Sequence, residues 1–586
     1  MTATPGDITA ASVLRPARLA ITSLMAGLIL LVIFAFSIRF YQQFYIPKLI
    51  VFYVMGALSL LLLICRPQQR MPPMRVLLFM ATFLLVLSIQ VALSPAPLTS
   101  SMQLAFYVGA MLLYLALLQF DAAGITVLLK VVFAAALLQL VIIALQQFGT
   151  PALLTTALVS EHERLLGTVG NPEFLATLLG VAFFIGLHLR EHEHQQLRRG
   201  LLLLAAVALL VGMLLTHNKG ALLFIGAYFL WRRVPNYRLM LVIALLALVL
   251  AVFVFPDSIK GRALLWLVAA SMVAQNLFAG VGLLQFENRY LDVVHELYSA
   301  HPALSDALGS HTAMSMDAHN LFLHFGAELG AAGLVLAILL ALHILNTVRS
   351  SQGYLGAALL LVLFKCMYTV VLTSVTGMLL LVLLLVALSP ASTAASSRLP
   401  RFAFTAAAPV VMALLVFTAS LTLSDHYYQR GIRSLFLGQA DAAENLQHAL
   451  LINDENADAS LALAHVSYLQ YDYPAMQHYI EHAIQYRKNK DSYKIAGSLY
   501  FYAKRYDEAF EIYQFLHATF PQHLTSITKL ASLYMIRGNY DMAHNMAQLA
   551  LDTVPRKPAQ SDEKNLAIAR QILKDSSPHL SPLTPG

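Results

Sequence analysis

Charged side chains are scarce in this chain. Only 12% of its 586 residues are Asp, Glu, Lys or Arg, whereas 59% are hydrophobic. Soluble domains carry about 25% charged residues, so the composition excludes an ordinary soluble protein. It predicts an integral membrane protein with a smaller polar part attached.

Cysteine is nearly absent as well, since Cys65 and Cys366 are the only two and each lies in or beside an apolar run. A disulfide or zinc framework is therefore excluded. The sequence also lacks a phosphate-binding glycine loop, a nucleophile elbow and a dinucleotide fingerprint, so we expect no nucleotide chemistry. The histidines show no tight ligand spacing, and we predict no metal site, no cofactor and no nucleic-acid partner.

Thirteen apolar runs reach or approach the length of a membrane span. A hydrocarbon core of about 30 Å needs roughly 20 apolar residues in a helix. The runs lie near 19–37, 49–65, 75–93, 103–120, 123–147, 173–189, 200–216, 220–231, 239–256, 320–347, 354–372, 374–389 and 405–423. The first run is not framed as a cleavable signal peptide, so we expect it to be retained as the first span.

The arginines between these runs indicate the orientation. They share one side if the N-terminus is cytoplasmic, as the positive-inside rule requires. They are Arg15, Arg18, Arg66, Arg70, Arg75, Arg190, Arg198, Arg199, Arg232, Arg233, Arg238, Arg349, Arg398 and Arg401. Residues 263–281 are apolar too, but a span there would move Arg349 to the outside. We therefore predict an amphipathic helix that opens a large outer loop at about 257–318.

After the last run the composition turns polar, and a sequence repeat with a period of about 34 residues appears, which is the period of tetratricopeptide repeats. The recurring pairs are Tyr500 and Tyr534, Tyr506 and Tyr540, Ala509 and Ala543, and Pro521 and Pro555, with Ala475 one further period upstream. In such repeats paired helices pack through small residues. The resulting solenoids present a concave surface to protein partners. A cap that stabilises the outer loop is an equally good interpretation.

These patterns predict an all-α protein in two parts. Residues 1–424 would form a polytopic membrane helix bundle of about 12–13 spans that carries the outer loop. Residues 425–570 would form an external α-solenoid of tetratricopeptide-like repeats, and 571–586 a disordered tail.

Ionisable groups at the outer face are the candidates for function, because such groups are costly beside a bilayer. Arg164, Lys219, Arg262 and Arg289 gather there in the predicted topology. Each alone is typical of an interfacial anchor, but together they suit a lipid-linked phosphate or diphosphate. His319 begins an apolar run just after the outer loop, where a neutral imidazole could take a proton.

Four segments between about 160 and 345 resemble, in order, a bacterial superfamily of membrane glycosyltransferases. They read RLLGTVGNPEFLA (164–176), THNKGALL (216–223), GRALLW with AGVGLLQF (261–266 and 279–286), and HNLFL…ELG…G (319–333). The superfamily comprises the O-antigen ligases, the O-antigen polymerases and the pilin-type O-oligosaccharyltransferases. The His-Asn segment is the most specific of the four.

The resemblance implies a metal-independent, GT-C-like glycosyltransferase of the bacterial inner membrane. Its donor would be a glycan on undecaprenyl diphosphate at the periplasmic face, and His319 would be the general base in an inverting transfer. The residues implied in binding the glycan and diphosphate are Arg164, Asn171, Lys219, Arg262, Arg289 and Asn320. The family usually has arginine in place of Lys219, and lysine keeps the charge but lacks the bidentate fork.

Several alternatives stay open at this point. The acceptor could be lipid A-core, a growing glycan or a protein hydroxyl, and ligase-type attachment is preferred over polymerisation. A transporter of lipid-linked glycans, or a scaffold whose solenoid recruits a protein partner, belongs to a different class. Transporters usually show internal repeats among their spans, and the apolar runs show none.

Overall fold

The computed structural model describes residues 5–37, 40, 42–65, 70–147, 165–234, 256–351, 353–389, 401–553 and 560–579. Its regular elements, within these ranges, are 23 α-helices and three short 3-10 turns, with no strand. The predicted all-α class is therefore confirmed. The predicted span near 239–256 and the candidate Arg164 lie outside the described residues, apart from the last position of that span.

The chain divides into two compact units. One, here called the bundle unit, comprises Met1–Leu246 and His319–His426. The other, the repeat unit, comprises Ala247–Ala318 and Tyr427–Gly586. The described residues of the predicted outer loop thus cluster with the repeats.

The bundle unit is built from long apolar helices that coincide with the predicted runs. Its helices are α1 (Pro5–Phe34), α2 (Ile46–Cys65), α3 (Met74–Leu93), α4 (Pro97–Leu117), α5 (Ala122–Gln147), α6 (Pro172–Glu191), α7 (Gln196–Leu215), α8 (Lys219–Arg233), α12 (Leu321–Ser351), α13 (Tyr354–Cys366), α14 (Val375–Leu388) and most of α15 (Arg401–Phe436). Eight helices in the described ranges are long and apolar enough to cross a membrane, counted by length and composition.

Helix α12 contains a sharp kink at Gly330. This residue has φ 66° and ψ −157°, inside an otherwise continuous helical segment. Glycine alone adopts that backbone region readily, because a Cβ there clashes with the chain. Gly330, the glycine of the ELG sequence in the fourth segment, therefore sets the direction in which α12 continues after the kink.

We expect Gly330→Ala to destabilise the bundle unit by about 1–3 kcal/mol, the usual cost of a forced backbone outlier. Thermal unfolding of the purified protein would measure the loss. Gly226→Ala is the matched control, because a Cβ at Gly226 in α8 meets no atom within 4 Å. Alanine there should be neutral, or stabilising by up to about 1 kcal/mol. Equal melting of the two variants would contradict a structural role for the kink.

The repeat unit contains a series of helix pairs. They are α16 (Ala442–Ile452), α17 (Ala457–Leu469), α18 (Tyr473–Tyr486), α19 (Lys490–Tyr502), α20 (Tyr506–Thr519), α21 (Leu524–Ile536), α22 (Tyr540–Asp552) and α23 (Gln560–Ser576). Helices α19 and α21 start one full period apart, as do α20 and α22, so the helices follow the predicted repeat. Helix α23 ends at Ser576 and a 3-10 turn follows at Ser577–His579, so the part of the predicted disordered tail that the structure describes is helical, and 580–586 lie outside the described residues.

Small residues pack between the paired helices, as the repeat predicts, with one difference. Ala509 and Ala543 are fully buried. The spacing from the start of α18 to the start of α20 is shorter than the period by a single position, so the corresponding buried residue is Met476. Ala475, chosen from the regular period, is only half-buried.

Three helices of the outer loop belong to the same unit: α9 (Pro256–Gln275), α10 (Phe286–Ala300) and α11 (Pro302–Leu308). Helix α10 is joined to the turn between α18 and α19. Asn288 donates to the carbonyl of Tyr486 at 3.0 Å and accepts from the amide of Lys488 at 3.1 Å. Lys488 Nζ also lies 2.6 Å from Asp292. These contacts explain why the loop clusters with the repeats.

We expect Asn288→Ala to loosen this junction, because it leaves two half-buried backbone groups without their partner, at a cost of about 1–3 kcal/mol. Hydrogen exchange of the amides around Lys488 should become faster. Asn276→Ala serves as control, since the Asn276 side-chain amide donates only to the carbonyl of Met272, one turn earlier in the chain. Unchanged exchange in the Asn288 variant would contradict the assigned role of this side chain.

Candidate functional site

Three helices of the bundle unit begin in the same way. Each start has a residue with positive φ, then an asparagine, then the helix: Gly170 (φ 85°) with Asn171 before α6, His217 (φ 54°) with Asn218 before α8, and His319 (φ 48°) with Asn320 before α12. These starts coincide with three of the four segments that carry the family resemblance. The common geometry explains why asparagine stands at each of them.

The three asparagines are N-caps whose side-chain oxygens accept from the first amides of the helix. Asn171 accepts from Glu173 at 2.8 Å, Asn218 from Ala221 at 3.1 Å, and Asn320 from Phe322 at 3.0 Å. Caps of this type satisfy amides that have no partner within the helix and contribute about 1 kcal/mol each. Asn171 and Asn320, predicted to bind substrate, therefore have a structural role in addition to any contact with substrate.

A positive φ at a residue other than glycine carries a cost. His217 and His319 both adopt the left-handed region. For an L-residue this region is unfavourable by roughly 1–2 kcal/mol. Glycine would serve equally well at these positions, as it does at Gly170. Leu284, Tyr471 and Lys504 have a positive φ as well, so this strain by itself assigns no role to either imidazole.

A buried ion pair links two of the helix starts. Lys365, at the end of α13 and fully buried, binds the carboxylate of Glu173 in the first turn of α6. The amide of Asn218 donates to the same carboxylate at 2.6 Å, and Lys365 Nζ lies 3.5 Å from Asn218 Oδ1. Tyr368 stacks on the ammonium, 4.7 Å from it to the ring centroid. Thus α6, α8 and α13 meet at one charged group.

The third helix start is tied to the same segment. The side-chain amide of Asn320 donates to the carbonyl of Met367 at 2.9 Å. Met367 is the second residue after Lys365. The short segment 365–367 therefore carries both the lysine of the ion pair and the carbonyl that binds the N-cap of α12. His319, which precedes Asn320, is thereby held close to the network that joins the starts of α6 and α8.

The predicted cations are distributed between the two units. Lys219 is exposed and is the first residue of α8, in the bundle unit with His319. Arg262 and Arg289 are in the repeat unit. Arg262 donates to Ser258 one turn earlier at 2.6 Å. Arg289 lies 3.3 Å from Asp292 and 3.5 Å from Glu296, so two carboxylates already compensate its charge.

Two acidic residues, one on α12 and one on α10, also have defined partners. Glu328, which was not expected to orient His319, lies 3.7 Å from His324 one turn earlier, and both are buried. On α10, burial raises the pKa of the Glu287 carboxyl, while the hydrogen bond from Asn489 opposes that rise. Glu287 therefore belongs to the junction between the loop and the repeats.

The sequence analysis missed Glu173, Asn218 and Lys365. A signal was available for Lys365, because a lysine inside an apolar run is expensive and points to a function or a partner. Its partner could not be read from spacing, since Glu173 lies 192 positions away. Asn218 stands in the second segment, between His217 and Lys219, and its position before an apolar run is the signal of an N-cap.

No protein-family model matches the chain, and no curated protein matches it. A solved structure that matches is a chain of the APC/C hetero-tetramer Cut9–Hcn1, at 13% identity over 81% of this chain and 76% of that chain. Its TM-score is 0.23, which carries no argument about fold or function.

Proposed function

We propose that the bundle unit crosses a membrane and transfers a glycan from a lipid diphosphate to an acceptor hydroxyl. The membrane placement is supported by its surface. Leu78, Val141, Leu204 and Val416 point outward from four different helices, each more than half exposed. Water would not favour such a belt on a monomer, whereas lipid would.

The observation that carries the catalytic proposal is the start of α12. His319 stands there with a left-handed backbone, and the side chain of its neighbour Asn320 is anchored to the segment that follows Lys365. A fixed imidazole of this kind suits a general base, which must be positioned before the proton moves. In the proposed reaction His319 takes the proton of the acceptor hydroxyl.

The acceptor oxygen forms a bond to the anomeric carbon, and the bond from that carbon to the phosphate oxygen breaks on the opposite face. The configuration inverts, and the electron pair leaves on the lipid diphosphate. Lys219 is the candidate to stabilise that charge. It stands at the positive end of α8, a place disfavoured for a cation and favourable for an anion.

The proposed family assignment is the O-antigen ligase superfamily, in the bacterial inner membrane, with the helix starts facing the periplasm. Ligase-type transfer to lipid A-core is the first choice, with a growing glycan or a protein as the other acceptors. We expect a strain lacking the gene to accumulate intact donor beside unextended acceptor. Loss of chain length with continued attachment would instead indicate a polymerase. Normal glycosylation in that strain would contradict the proposal.

A further inference from the structure

The bundle unit contains a cavity of about 400 Å³ between α3, α4, α12 and α14, here called the α3–α12 cavity. Its walls are almost entirely apolar. Leu339 and Leu342 on α12 line it and are about half exposed, so the cavity is open along that side. Neither His319 nor the Lys365 network lines it.

The two ends of the cavity differ in chemistry. Arg75 from the first turn of α3 lies at one end, with His343 and Asn346 from α12. The other end is closed by aromatic rings: Phe83 lies 5.1 Å from Tyr107 and 6.0 Å from Phe325, between ring centroids. Among the described residues that line the cavity, none is acidic. The cavity therefore combines an apolar slot with a cationic mouth.

The dimensions suit a hydrocarbon chain. Arg75 and Phe83 are eight residues apart on α3, about 12 Å of helix, and Leu336 to Asn346 on α12 cover about 15 Å. A free phosphate would leave the apolar walls unused, and an uncharged lipid would leave Arg75 unused. An anionic lipid uses both, since arginine pairs well with phosphate while apolar walls take up the chain.

We propose that the α3–α12 cavity binds one acyl chain of an anionic glycerophospholipid, with the lipid phosphate at Arg75. This rests on the membrane placement proposed above and is independent of glycan transfer. The phosphate would lie at the opposite end of α12 from the proposed reaction. Asn346 and Leu321 are separated by up to roughly 37 Å along the helix. The head group is thus distinct from the diphosphate of a donor held at His319.

Lipid retention in native mass spectrometry tests this site. The purified protein is equilibrated with phosphatidylglycerol and phosphatidylcholine that have identical acyl chains. We expect the protein to retain one phosphatidylglycerol molecule, with an affinity about tenfold higher than that for phosphatidylcholine. Arg75→Gln should make the two affinities equal. Arg349→Gln is the matched control, because Arg349 lies in the last turn of the helix that carries His343 and Asn346 but does not line the cavity. It should keep the preference.

A second pair of variants tests the slot itself. Leu342→Trp fills the open side of the cavity and should abolish retention of both lipids. Leu345→Trp, at an exposed position on α12 that does not line the cavity, should not. Equal retention of the two lipids by all variants would overturn the proposal. Displacement of phosphatidylglycerol, one for one, by added undecaprenyl diphosphate would also overturn it, because the slot would then belong to the donor.

Discussion

Glycine in place of His319 is expected to abolish glycan transfer while leaving the protein folded. A general base contributes roughly 10²- to 10⁴-fold to a rate, so transfer by His319→Gly should fall by at least about a hundredfold. The backbone at 319 has φ 48°, which glycine adopts without the strain that a side chain brings. The melting temperature should therefore be equal to or above that of the wild type.

His217 supplies a control with the same backbone setting. It has φ 54°, is followed by the N-cap Asn218, and begins α8 as His319 begins α12. His217→Gly should relieve the same strain and retain transfer within about threefold, well under the cost of losing a general base. If both glycine variants transferred equally well, the imidazole of His319 would not be the base, and its strained backbone would need another explanation.

The second large effect is expected at the buried ion pair. Glu173→Gln leaves the ammonium of Lys365, which is fully buried, opposite a neutral amide. Removing one partner of a buried pair costs about 3–5 kcal/mol. The side chain of Glu173 is 31% exposed, so its carboxylate reaches water when Lys365 is changed. Lys365→Met should therefore destabilise the protein less than Glu173→Gln does.

A double-mutant cycle measures this pair directly. The combined Glu173→Gln, Lys365→Met variant should be more stable than the sum of the single effects predicts, because neither charge is left buried. Lys494→Gln is the control, as it removes an exposed pair with Asp491 at 2.9 Å. Its loss should cost under about 0.5 kcal/mol. Strict additivity of the two buried substitutions would show that the pair does not hold the helix starts.

The same variants should change catalysis, because the network positions the starts of α6, α8 and α12. We expect Glu173→Gln to lower the rate of glycan transfer at least about tenfold and to leave the KM for the acceptor unchanged. A small misplacement of the general base is enough to lower the rate of the reaction. The loss should appear at temperatures well below its melting transition. Full activity of the folded variant would limit Glu173 and Lys365 to a structural role.

Local features of this fold could be predicted from the sequence, and distant pairings could not. The starts of α6, α8 and α12 lie where an asparagine precedes an apolar run, and the spacing of Tyr506 and Tyr540 matches α20 and α22. These features depend on a few neighbouring residues. The salt bridge of Glu173 with Lys365 depends on the packing of α6 against α13, which no periodicity in the sequence encodes.

The outer loop shows the same limit. An amphipathic helix was predicted at 263–281, and α9 covers that stretch as far as Gln275. The placement of the loop with the repeats rests on Asn288 meeting the turn at Tyr486 and Lys488, about 200 positions along the chain. The shortened repeat between α18 and α20 likewise moved the buried position from Ala475 to Met476. Register changes of this kind become visible only when the helices are placed.

The fate of the lipid donor tests the proposed function most directly. Purified wild-type protein in proteoliposomes would receive a glycan on undecaprenyl diphosphate, together with lipid A-core, glycan or protein acceptors. Glycosyl transfer predicts that free undecaprenyl diphosphate is released in the same amount as the product is formed, and that the anomeric carbon of the product has the inverted configuration. The His319→Gly variant should form neither the product nor free undecaprenyl diphosphate. Donor that crosses the bilayer with its glycan still attached, and no product with any acceptor, would contradict transfer and identify a transporter.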